Sequence, residues 1–542
     1  MSLQFANLAR MLLLALVAGA ASAQQEPAES CGSCHDQKVK GVHQSLGCAT
    51  CHDGHEKYPH PKNAAKPQCT TCHDEISRQD ERGVHGKARL GGNQAAPECS
   101  TCHGAAHEVA KTKSQDFRAQ MPDTCGMCHE EQTKQFKDSV HGKAVADGIG
   151  EAPVCTDCHG VHSILSHTAA ASPVSALQIR ETCASCHGDV RLARKFGLPS
   201  DRLLSFDASF HGLASKSGSQ TVANCASCHG FHHILPSSDS RSTTHPSKLA
   251  ATCGKCHPGA GQRFALGSIH NWEGKGESEY VGFVRNTYYL LIPLILGLMF
   301  LHNAGDWIQK VWRMRIRRIS APSVSLAGSV RMLPFERFQH ALLVLSFFAL
   351  VWTGFALKYP DQWWARPLLM WEHAFSVRSV IHRIAAVIFT IVSTVHLISL
   401  IVSKPLRNHW KHMLPRMNDV REGWRCFAFN LGLSSKPASR SEHSYVEKAE
   451  YWAVVWGAVV MAGSGLILWA NNYFLRVLPK WVLDVATAVH FYEAVLATAA
   501  IVVWHFYFVI FDPDVYPMDL GWLTGRSVRK KEDHVPLAKA GD

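Results

Sequence analysis

The sequence predicts a mainly α-helical protein in two parts, a loop-rich N-terminal part followed by a bundle of about five membrane-spanning helices. Composition is the first observation that favours this fold class. Up to about residue 277 the 542-residue chain is rich in cysteine and histidine and poor in long apolar residues. Beyond that point, long apolar runs alternate with basic connectors. A chain of this length accommodates two or three domains.

The first 23 residues are typical of a secretory signal peptide. Arg10 precedes the apolar run Met11–Ala21, and Ala21–Ala23 offers a small-residue cleavage site. The run is short for a membrane span, although retention as an uncleaved anchor stays open. In both cases we expect the residues that follow to be exported.

Nine Cys-x-x-Cys-His motifs dominate residues 24–277 and use eighteen of the nineteen cysteines, which leaves Cys426 as an unreactive thiol. This motif attaches c-type haem, because its two thiols form thioethers and its histidine binds iron. Disulfides or zinc knuckles give no reason for a histidine at that position nine times. The predicted thioether cysteines are Cys31, Cys34, Cys48, Cys51, Cys69, Cys72, Cys99, Cys102, Cys125, Cys128, Cys155, Cys158, Cys183, Cys186, Cys225, Cys228, Cys253 and Cys256. The predicted proximal ligands are His35, His52, His73, His103, His129, His159, His187, His229 and His257.

The motifs repeat in pairs, giving four two-motif repeats and a half-repeat at Cys253. Each pair brackets a lone histidine, and another histidine follows its second motif. The predicted distal ligands are His43, His55, His85, His107, His141, His162, His211, His232 (or His233) and His270. Two imidazoles on each iron favour electron transfer over substrate binding. We expect each repeat to be a closed two-haem step, although the spacing leaves open which distal histidine serves which iron.

Three further histidines, His60, His167 and His245, fall outside this register and are expected to be solvated loop residues. Covalently attached haem is expected to supply most of the core of this part. Side-chain burial alone cannot offset the ordering entropy of a segment so poor in Leu, Ile, Val and Phe. The sequence therefore predicts short helices that end at the motifs, long loops and almost no sheet.

Apolar segments long enough, with their flanks, to span a membrane follow this part. They are Tyr288–Leu301, Ala341–Leu357, Val380–Val402, Trp452–Trp469 and Ala486–Phe511. The connectors Lys310–Arg337 and Lys404–Lys448 are basic, which predicts that they are cytoplasmic. The haem region is then periplasmic, and the chain is a multi-pass protein of a bacterial inner membrane. The net charge of +11 is explained by these connectors, and no nucleic-acid motif is visible, so no nucleic-acid partner is expected.

Histidines within the apolar segments are candidates for function, because ionisable groups at membrane depth are costly. His382 and His396 are fourteen residues apart, and His490 and His505 are fifteen apart, so each pair lies broadly on one helix face. Two facing helices with such pairs can hold two b-type haems. The alternative is that these histidines form hydrogen bonds between helices.

The segments Glu336–Leu357 (ERFQHALLVLSFFALVWTGFAL), Val380–Phe389 (VIHRIAAVIF), Tyr445–Gly457 (YVEKAEYWAVVWG) and His490–His505 resemble one known family. It is the dihaem cytochrome b subunit of membrane formate dehydrogenases and nickel–iron hydrogenases. The resemblance covers about residues 334–518 and implies that His382 with His490 holds a periplasmic-side haem b, and His340 with His505 a cytoplasmic-side haem b. It also implies a quinone pocket beside the latter. Candidates for that pocket are His396, Glu447, Lys448 and Tyr451, with His302 a weaker one.

Two features depart from that family. A helix over Tyr280–Trp307, which carries His302, precedes the four helices of the family, and His396 could replace His340 as a ligand. The chain as a whole resembles the fused c/b-type quinone oxidoreductases in the inner membrane of metal-respiring bacteria. The implied domains are 1–23, signal peptide; 24–277, periplasmic nonahaem domain; 278–333, extra helix and connector; 334–518, cytochrome b domain; and 519–542, cytoplasmic tail.

The leading interpretation is a quinol:c-type cytochrome oxidoreductase that only transfers electrons. Its cofactors would be nine haem c and two haem b, and its partners membrane quinone and periplasmic c-type cytochromes. No nucleotide, flavin or molybdenum motif suggests other chemistry. One alternative is a membrane-anchored reductase of nitrite, hydroxylamine or sulfur oxyanions. Another is the cytochrome subunit of a hydrogenase or dehydrogenase complex. Direction of flow, quinone type and oligomeric state stay open.

Overall fold

The computed structural model describes residues 31, 33–52, 59–60, 67–199, 201–261, 270, 278–316, 330–372, 376–434 and 444–526. The predicted signal peptide, His55 and the tail beyond residue 526 lie outside these ranges. The described chain is mainly α-helical, with one two-stranded sheet and five helices long and apolar enough to cross a membrane, so the predicted fold class is confirmed. Contacts divide it into two compact units, Met1–Ser175 with His232–Ile234, and Ala176–Phe231 with Leu235–Asp542.

The first compact unit consists of short helices that begin or end at the cysteine motifs. Its α-helices are Asp74–Arg82, Val84–Leu90, Cys99–His103, Gln115–Gly126, Glu130–Asp138, Val140–Ala146 and Cys155–His159, with 3-10 turns at Cys48–Thr50 and Cys69–Thr71. Glycine follows the histidine of two of these motifs with positive φ, at Gly104 (88°) and Gly160 (87°). Only glycine adopts this conformation at no steric cost, so the chain turns sharply out of each motif helix.

Neighbouring repeats of the first compact unit are joined by the same backbone contact. In each case the residue just before the lone histidine of one repeat donates its backbone N–H to a carbonyl of the next repeat. The accepting residue lies two positions after the first histidine that follows the second motif of that next repeat. These hydrogen bonds run from Val42 to Val109 (3.1 Å), from Val84 to Ile164 (2.7 Å) and from Val140 to Ile234 (2.9 Å). The first of them extends a parallel pair of two-residue strands, Lys40–Gly41 and Glu108–Val109. The first repeat therefore docks onto the second, and the second onto the third.

The His-Gly dipeptide of the repeat is explained by a sharp bend between two helices. Ser139 is fully buried between helices Glu130–Asp138 and Val140–Ala146, and its hydroxyl caps the N–H of Gly142 (3.1 Å). A Cβ at Gly142 would lie 2.1 Å from the carbonyl oxygen of Phe136. Gly86 and Gly212 are equally close to the preceding helix in their repeats. The glycine permits this close approach, which fixes the position of the adjacent histidine.

The second compact unit joins the remaining motifs to the membrane helices. Its shorter helices are Ile179–His187, Val190–Lys195, Arg202–Ala208, Phe210–Lys216, Cys225–His229, Leu249–Gly254, Arg366–Leu369, Lys404–Trp410, Met417–Asn430, Asn471–Val477 and Gly521–Thr524, with a 3-10 turn at Lys411–Met413. The spanning helices, numbered here first to fifth, are Glu279–Ile316, Pro334–Lys358, Val377–Val402, Tyr445–Trp469 and Lys480–Ala500. The fifth continues through two π-helical turns, Ile501–His505 and Tyr507–Phe511.

Polar contacts fasten the first spanning helix to the fifth along its length. The hydroxyl of Tyr288 donates to Glu493 (2.8 Å), and the ammonium of Lys310 contacts Asp512 (2.7 Å). Between them, the side-chain amide of Asn303 donates to the carbonyl of Val503 (2.6 Å). Buried pairs of this kind are costly to break, because removing one partner leaves the other uncompensated. The extra helix is therefore an integral part of the bundle.

We expect Gly142→Ala to lower the stability of the N-terminal region. The added methyl must displace the carbonyl of Phe136, and overpacking of this kind costs about 1–3 kcal/mol. Thermal unfolding followed by circular dichroism measures the change. Gly254→Ala is the matched control, because nothing lies within 4 Å of a Cβ at that helical position. Equal melting temperatures for the two variants would contradict the explanation of the His-Gly dipeptide.

Candidate functional site

Histidine rings come together in pairs throughout the Cys-x-x-Cys-His region. In each pair one ring belongs to a motif and the other lies outside any motif. Eight such pairs occur among the described residues, with ring centroids 5.9–6.3 Å apart. They are His35–His60, His73–His43, His52–His107, His129–His85, His103–His162, His159–His232, His257–His211 and His229–His270.

This separation suits two imidazoles that share one metal ion. A metal–nitrogen bond of about 2 Å on each side, with roughly 1 Å from each nitrogen to its ring centroid, places two axial rings about 6 Å apart. The donor set and its geometry therefore fit an iron with two histidine ligands.

The pairs cross the boundaries between repeats, so a repeat is not the closed step expected from the sequence. His43 lies in the first repeat but meets His73 of the second, while His107 of the second repeat meets His52 of the first. The cause is the backbone contact between Val42 and Val109, since these residues are neighbours of His43 and close to His107. The first and second repeats thus exchange one histidine in each direction, as do the second and third.

The structure also places the histidines that the register left open. His60 is exposed in a loop, as expected, and in addition its ring lies 6.1 Å from that of His35. Of the two adjacent candidates, His232 meets His159, whereas His233 contacts the carboxylate of Asp138 (2.8 Å). His167 is exposed, and His245 bonds to the hydroxyl of Ser247 (2.7 Å). His141 lies in helix Val140–Ala146, and His187 ends helix Ile179–His187.

Burial keeps many of the paired imidazoles neutral. It lowers the pKa of one ring in each of five pairs, and the positive charge that the partner ring would carry lowers the same pKa further. These rings are His85, His103, His159, His211 and His229. A neutral imidazole has the free lone pair that binds a metal. The protonation state therefore suits ligand duty.

Cysteines of successive motifs are neighbours in space. The thiols of Cys69 and Cys99 are close enough to influence each other's ionisation, as are those of Cys125 and Cys155. The same holds for Cys183 and Cys225 in the second compact unit. Cys102 interacts electrostatically with Cys125, and Cys228 with Cys253. Groups attached at consecutive motifs would therefore be close neighbours.

A further histidine pair lies inside the membrane bundle, where His382 of the third spanning helix faces His490 of the fifth, with centroids 6.5 Å apart. The Nδ1 atoms of these rings bond to the hydroxyls of Thr353 (2.8 Å) and Ser464 (2.9 Å) respectively. Each hydroxyl donates its own proton to a carbonyl of its helix, so it accepts from the imidazole. Both rings then carry their proton on Nδ1, and Nε2 remains for iron.

Glycines make room for these two rings. Gly354 follows Thr353, and a Cβ there would lie 3.5 Å from His382; Gly465 follows Ser464, and a Cβ there would lie 3.2 Å from His490. For each histidine, the preceding spanning helix therefore carries a hydroxyl residue followed by glycine. This dipeptide is visible in the sequence and marks the histidine, but the spacing of the histidines alone did not reveal it. The same packing leaves Arg378, four residues before His382, with a buried Nε that has no hydrogen-bond partner.

His340 and His505 form a second site at the opposite end of the bundle, and are close enough to interact electrostatically. The Nδ1 of His505 is oriented by Glu450 (3.1 Å). Buried polar atoms without a hydrogen-bond partner belong to residues of this site and the residue next to it: Nδ1 of His340, Oε1 of Glu450 and Nε2 of Gln339. Such atoms are rare in proteins unless a further group belongs beside them. The site therefore fits a polar-edged prosthetic group such as haem.

The π-helical turn Ile501–His505 explains how His505 joins this site. Fifteen residues of regular helix would turn His505 about 60° away from His490. The wider π turn rotates the chain less per residue, which brings the two histidines closer to one face. π turns of this kind occur frequently at functional sites. The residue spacing alone did not predict it.

The structure separates the four residues considered for a quinone pocket. His396 and Tyr451 are together, with Nε2 of the imidazole 3.1 Å from the phenol oxygen, and Nδ1 lies 3.4 Å from Oε1 of Gln339. Glu447 instead caps its helix through Ser444 and contacts Arg331 (3.3 Å), while Lys448 pairs with Asp419 (2.6 Å). Both ring nitrogens of His396 are hydrogen-bonded, which favours His340 as the ligand. His302 is buried against the hydroxyl of Tyr445.

We expect Thr353→Val to weaken haem b retention at His382 and His490. The methyl cannot accept from Nδ1 of His382, and loss of such an outer hydrogen bond costs about 10–100-fold in metal affinity. The ratio of b-type to total haem in purified protein, measured as pyridine haemochromes, reports the effect. Ser346→Ala on the same helix is the control, because that hydroxyl bonds to carbonyls of its own helix. An unchanged haem ratio in Thr353→Val would contradict this role.

Comparisons with known proteins agree with the membrane part of this geometry. The family described as prokaryotic cytochrome b561 matches residues 331–516. "Formate dehydrogenase, cytochrome b556 subunit" of Haemophilus influenzae is 24% identical over 195 residues, which cover 36% of this chain and 76% of that protein. The matched residues include both membrane histidine sites and exclude the first spanning helix. Residues 331–516 are therefore a b-type cytochrome domain, and the chain is a multi-pass membrane protein of redox electron transfer.

Proposed function

We propose that this protein exchanges electrons between a membrane quinone pool and nine c-type haems on the outer face of a bacterial inner membrane. It would act as a quinol:c-type cytochrome oxidoreductase with periplasmic cytochromes as partners. The observation that carries this proposal is the set of eight described histidine pairs about 6 Å apart. In each of them a motif histidine meets a second imidazole. Haem bound there supplies one-electron chemistry between ferric and ferrous iron.

Three features of the N-terminal region support haem at these pairs. The motif cysteines can form thioethers, and the paired rings are at the distance that a shared iron requires. Buried apolar side chains in this region are few and mostly small: Met121, Ala152, Val154, Ile179, Ala193, Ala214, Ala226 and Leu235. A core of that size is too small to order about 200 residues, so attached porphyrins would supply the rest.

Pairing also favours a path for electrons over a reductase. Where two imidazoles occupy the axial positions, no open site is left for nitrite, hydroxylamine or a sulfur oxyanion. The neighbouring cysteines of successive motifs, such as Cys125 beside Cys155, support close spacing along that path. The described pairs therefore favour the electron-transfer interpretation of the sequence.

The membrane domain supports transfer across the bilayer. Its two histidine sites lie toward opposite ends of the fifth spanning helix, since His490 and His505 are separated by fifteen residues, about 22 Å of helical rise. His382 and His490 would hold the haem b on the side of the c-type haems. His340 and His505 would hold the other, on the cytoplasmic side that the basic connectors predict.

The quinone site is proposed around His396 and Tyr451. Reduction of a quinone consumes two protons as well as two electrons, so its site needs groups that exchange protons. The imidazole of His396 and the hydroxyl of Tyr451 are such groups, and Trp410 packs against both rings (5.1 and 4.9 Å between centroids). Glu450 connects this cluster to the second haem site, because it precedes Tyr451 and bonds to His505.

A second candidate function is the cytochrome subunit of a dehydrogenase complex. The name of the Haemophilus influenzae relative, a formate dehydrogenase subunit, favours it for the membrane domain. The two candidates differ in what the isolated chain does. A quinol:cytochrome oxidoreductase reduces its c-type haems with quinol alone, whereas a dehydrogenase subunit purifies with a larger catalytic partner.

We expect His85→Ala to convert one c-type haem from low-spin to high-spin. His85 faces His129, so its loss opens one axial position at the motif that begins at Cys125. Electron paramagnetic resonance of the oxidised protein measures the new high-spin signal. His167→Ala is the control, because that exposed histidine belongs to none of the described pairs. Spectra that remain entirely low-spin in His85→Ala would contradict the assignment.

We expect purified protein to contain nine haem c and two haem b, and quinol to reduce both types. His396→Ala should slow reduction of the b haems by about 10²-fold or more, the range for loss of a proton-transferring group, without loss of haem b. Stopped-flow spectroscopy of the b and c absorption bands separates the steps. Glu447→Gln is the control, since Glu447 contacts Arg331 instead. If quinol leaves all haems of the wild-type protein oxidised, the proposed function fails.

A further inference from the structure

We propose that electrons cross between the c-type haems and the membrane domain at the His211–His257 pair, with Asn472 and Arg476 as the positioning residues of this junction. The inference rests on the proposed function and adds the place of transfer. All four residues lie in the second compact unit. His257 ends the last Cys-x-x-Cys-His motif, and Asn472 and Arg476 lie on helix Asn471–Val477, which connects the fourth and fifth spanning helices.

The imidazole of His257 is bonded directly to the membrane domain. Its Nδ1 lies 2.8 Å from Oδ1 of Asn472. If Nε2 faces iron, Nδ1 carries the proton and donates it to the amide oxygen. Hydrogen bonds at this position set the orientation and basicity of a ligating histidine. Asn472 therefore acts on the ligand itself from the membrane side.

Arg476 holds the residues that follow His257. Its Nε and Nη2 each lie 3.2 Å from the carbonyl oxygen of Pro258. Gly259 has φ of 86°, and a Cβ there would lie 2.5 Å from Nε of Arg476. Asn472 and Arg476 are four residues apart, so they present one face of their helix to His257-Pro258-Gly259. The last motif is thus docked on this connector by two adjacent side chains.

The second imidazole of the pair also faces the membrane domain. His211 lies on helix Phe210–Lys216, which contacts the second spanning helix. His211 is also close enough to Lys480, the first residue of the fifth spanning helix, for the two side chains to interact electrostatically. His257 is therefore bonded to the connector between the fourth and fifth spanning helices, and His211 lies near the end of that connector.

From this connector the chain runs directly to the His382–His490 site. Ser464, which orients His490, lies five residues before the end of the fourth spanning helix at Trp469, or about 8 Å of helical rise, and Asn472 follows on the next helix. His490 follows Lys480 by ten residues, or about 15 Å. Transfer here moves one electron, oxidising one iron and reducing the other, so the step needs no proton and no further reactant. The connector therefore joins a c-type site to a b-type site over a short covalent path.

The test is a redox titration of the full-length, haem-loaded protein in detergent, followed in the c-type absorption band. Asn472→Leu removes the acceptor for Nδ1–H, so the ligand becomes less basic and one of the nine c-type components shifts to a more positive potential. Asn472→Asp strengthens the acceptor and shifts the same component to a more negative potential. Asn471→Leu, the adjacent residue of the same type, leaves all nine in place. Opposite shifts from two substitutions at one position exclude simple misfolding.

A second measurement follows electrons through the junction. After mixing with quinol, Arg476→Leu should reduce its b haems at the wild-type rate but its c haems about tenfold more slowly, as for loss of other outer-sphere contacts. Unchanged c-type potentials in both Asn472 variants, or c-haem reduction as fast as in wild type, would place the junction elsewhere. The redox titration does not use quinol. If quinol fails to reduce the wild-type protein, the proposed function is wrong, but the potentials of the Asn472 variants still test the junction.

Discussion

The pairing of imidazoles from different repeats is the interaction on which the N-terminal region depends. Few apolar side chains are buried there, and the backbone contacts between repeats, such as Val84 with Ile164, are single hydrogen bonds worth about 1 kcal/mol each. A metal held between two rings would add far more cohesion than these contacts. Each imidazole is then held at the correct distance from its partner by local structure. This structure consists of the short helices, the capping serines and the His-Gly bends.

The membrane bundle depends on the same kind of pair but builds it differently. Its rings come from long helices, and their orientation is fixed by a neighbouring hydroxyl, Thr353 or Ser464, rather than by a bend. The two glycines beside these hydroxyls let the helix backbone approach the ring edge. The first spanning helix lies outside the matched family segment, yet it is fastened to the fifth by buried polar contacts. The domain is therefore a four-helix cytochrome with a fifth, firmly attached helix.

Much of the fold could be predicted because its determinants are local. The motifs mark where the short helices end, and the apolar runs mark the five spans. The partners of His43 and His107 could not be predicted, since both choices satisfy the spacing and only the docking of Val42 on Val109 decides between them. The positions of Glu447 and Lys448 were equally hidden. Both lie about one helical turn before Tyr451, but their charges are satisfied by Arg331 and Asp419, which are distant in sequence.

The exchange of histidines between repeats has a consequence for the order in which the repeats can be completed. His107, His162 and His232 each face a motif histidine of the preceding repeat, so each of these pairs forms only after the following repeat is in place. Because these contacts are equivalent, the array could gain or lose a whole repeat and still pair the rings of the new neighbours. The first motif has no preceding repeat to supply a ring, and His60 takes that place beside His35.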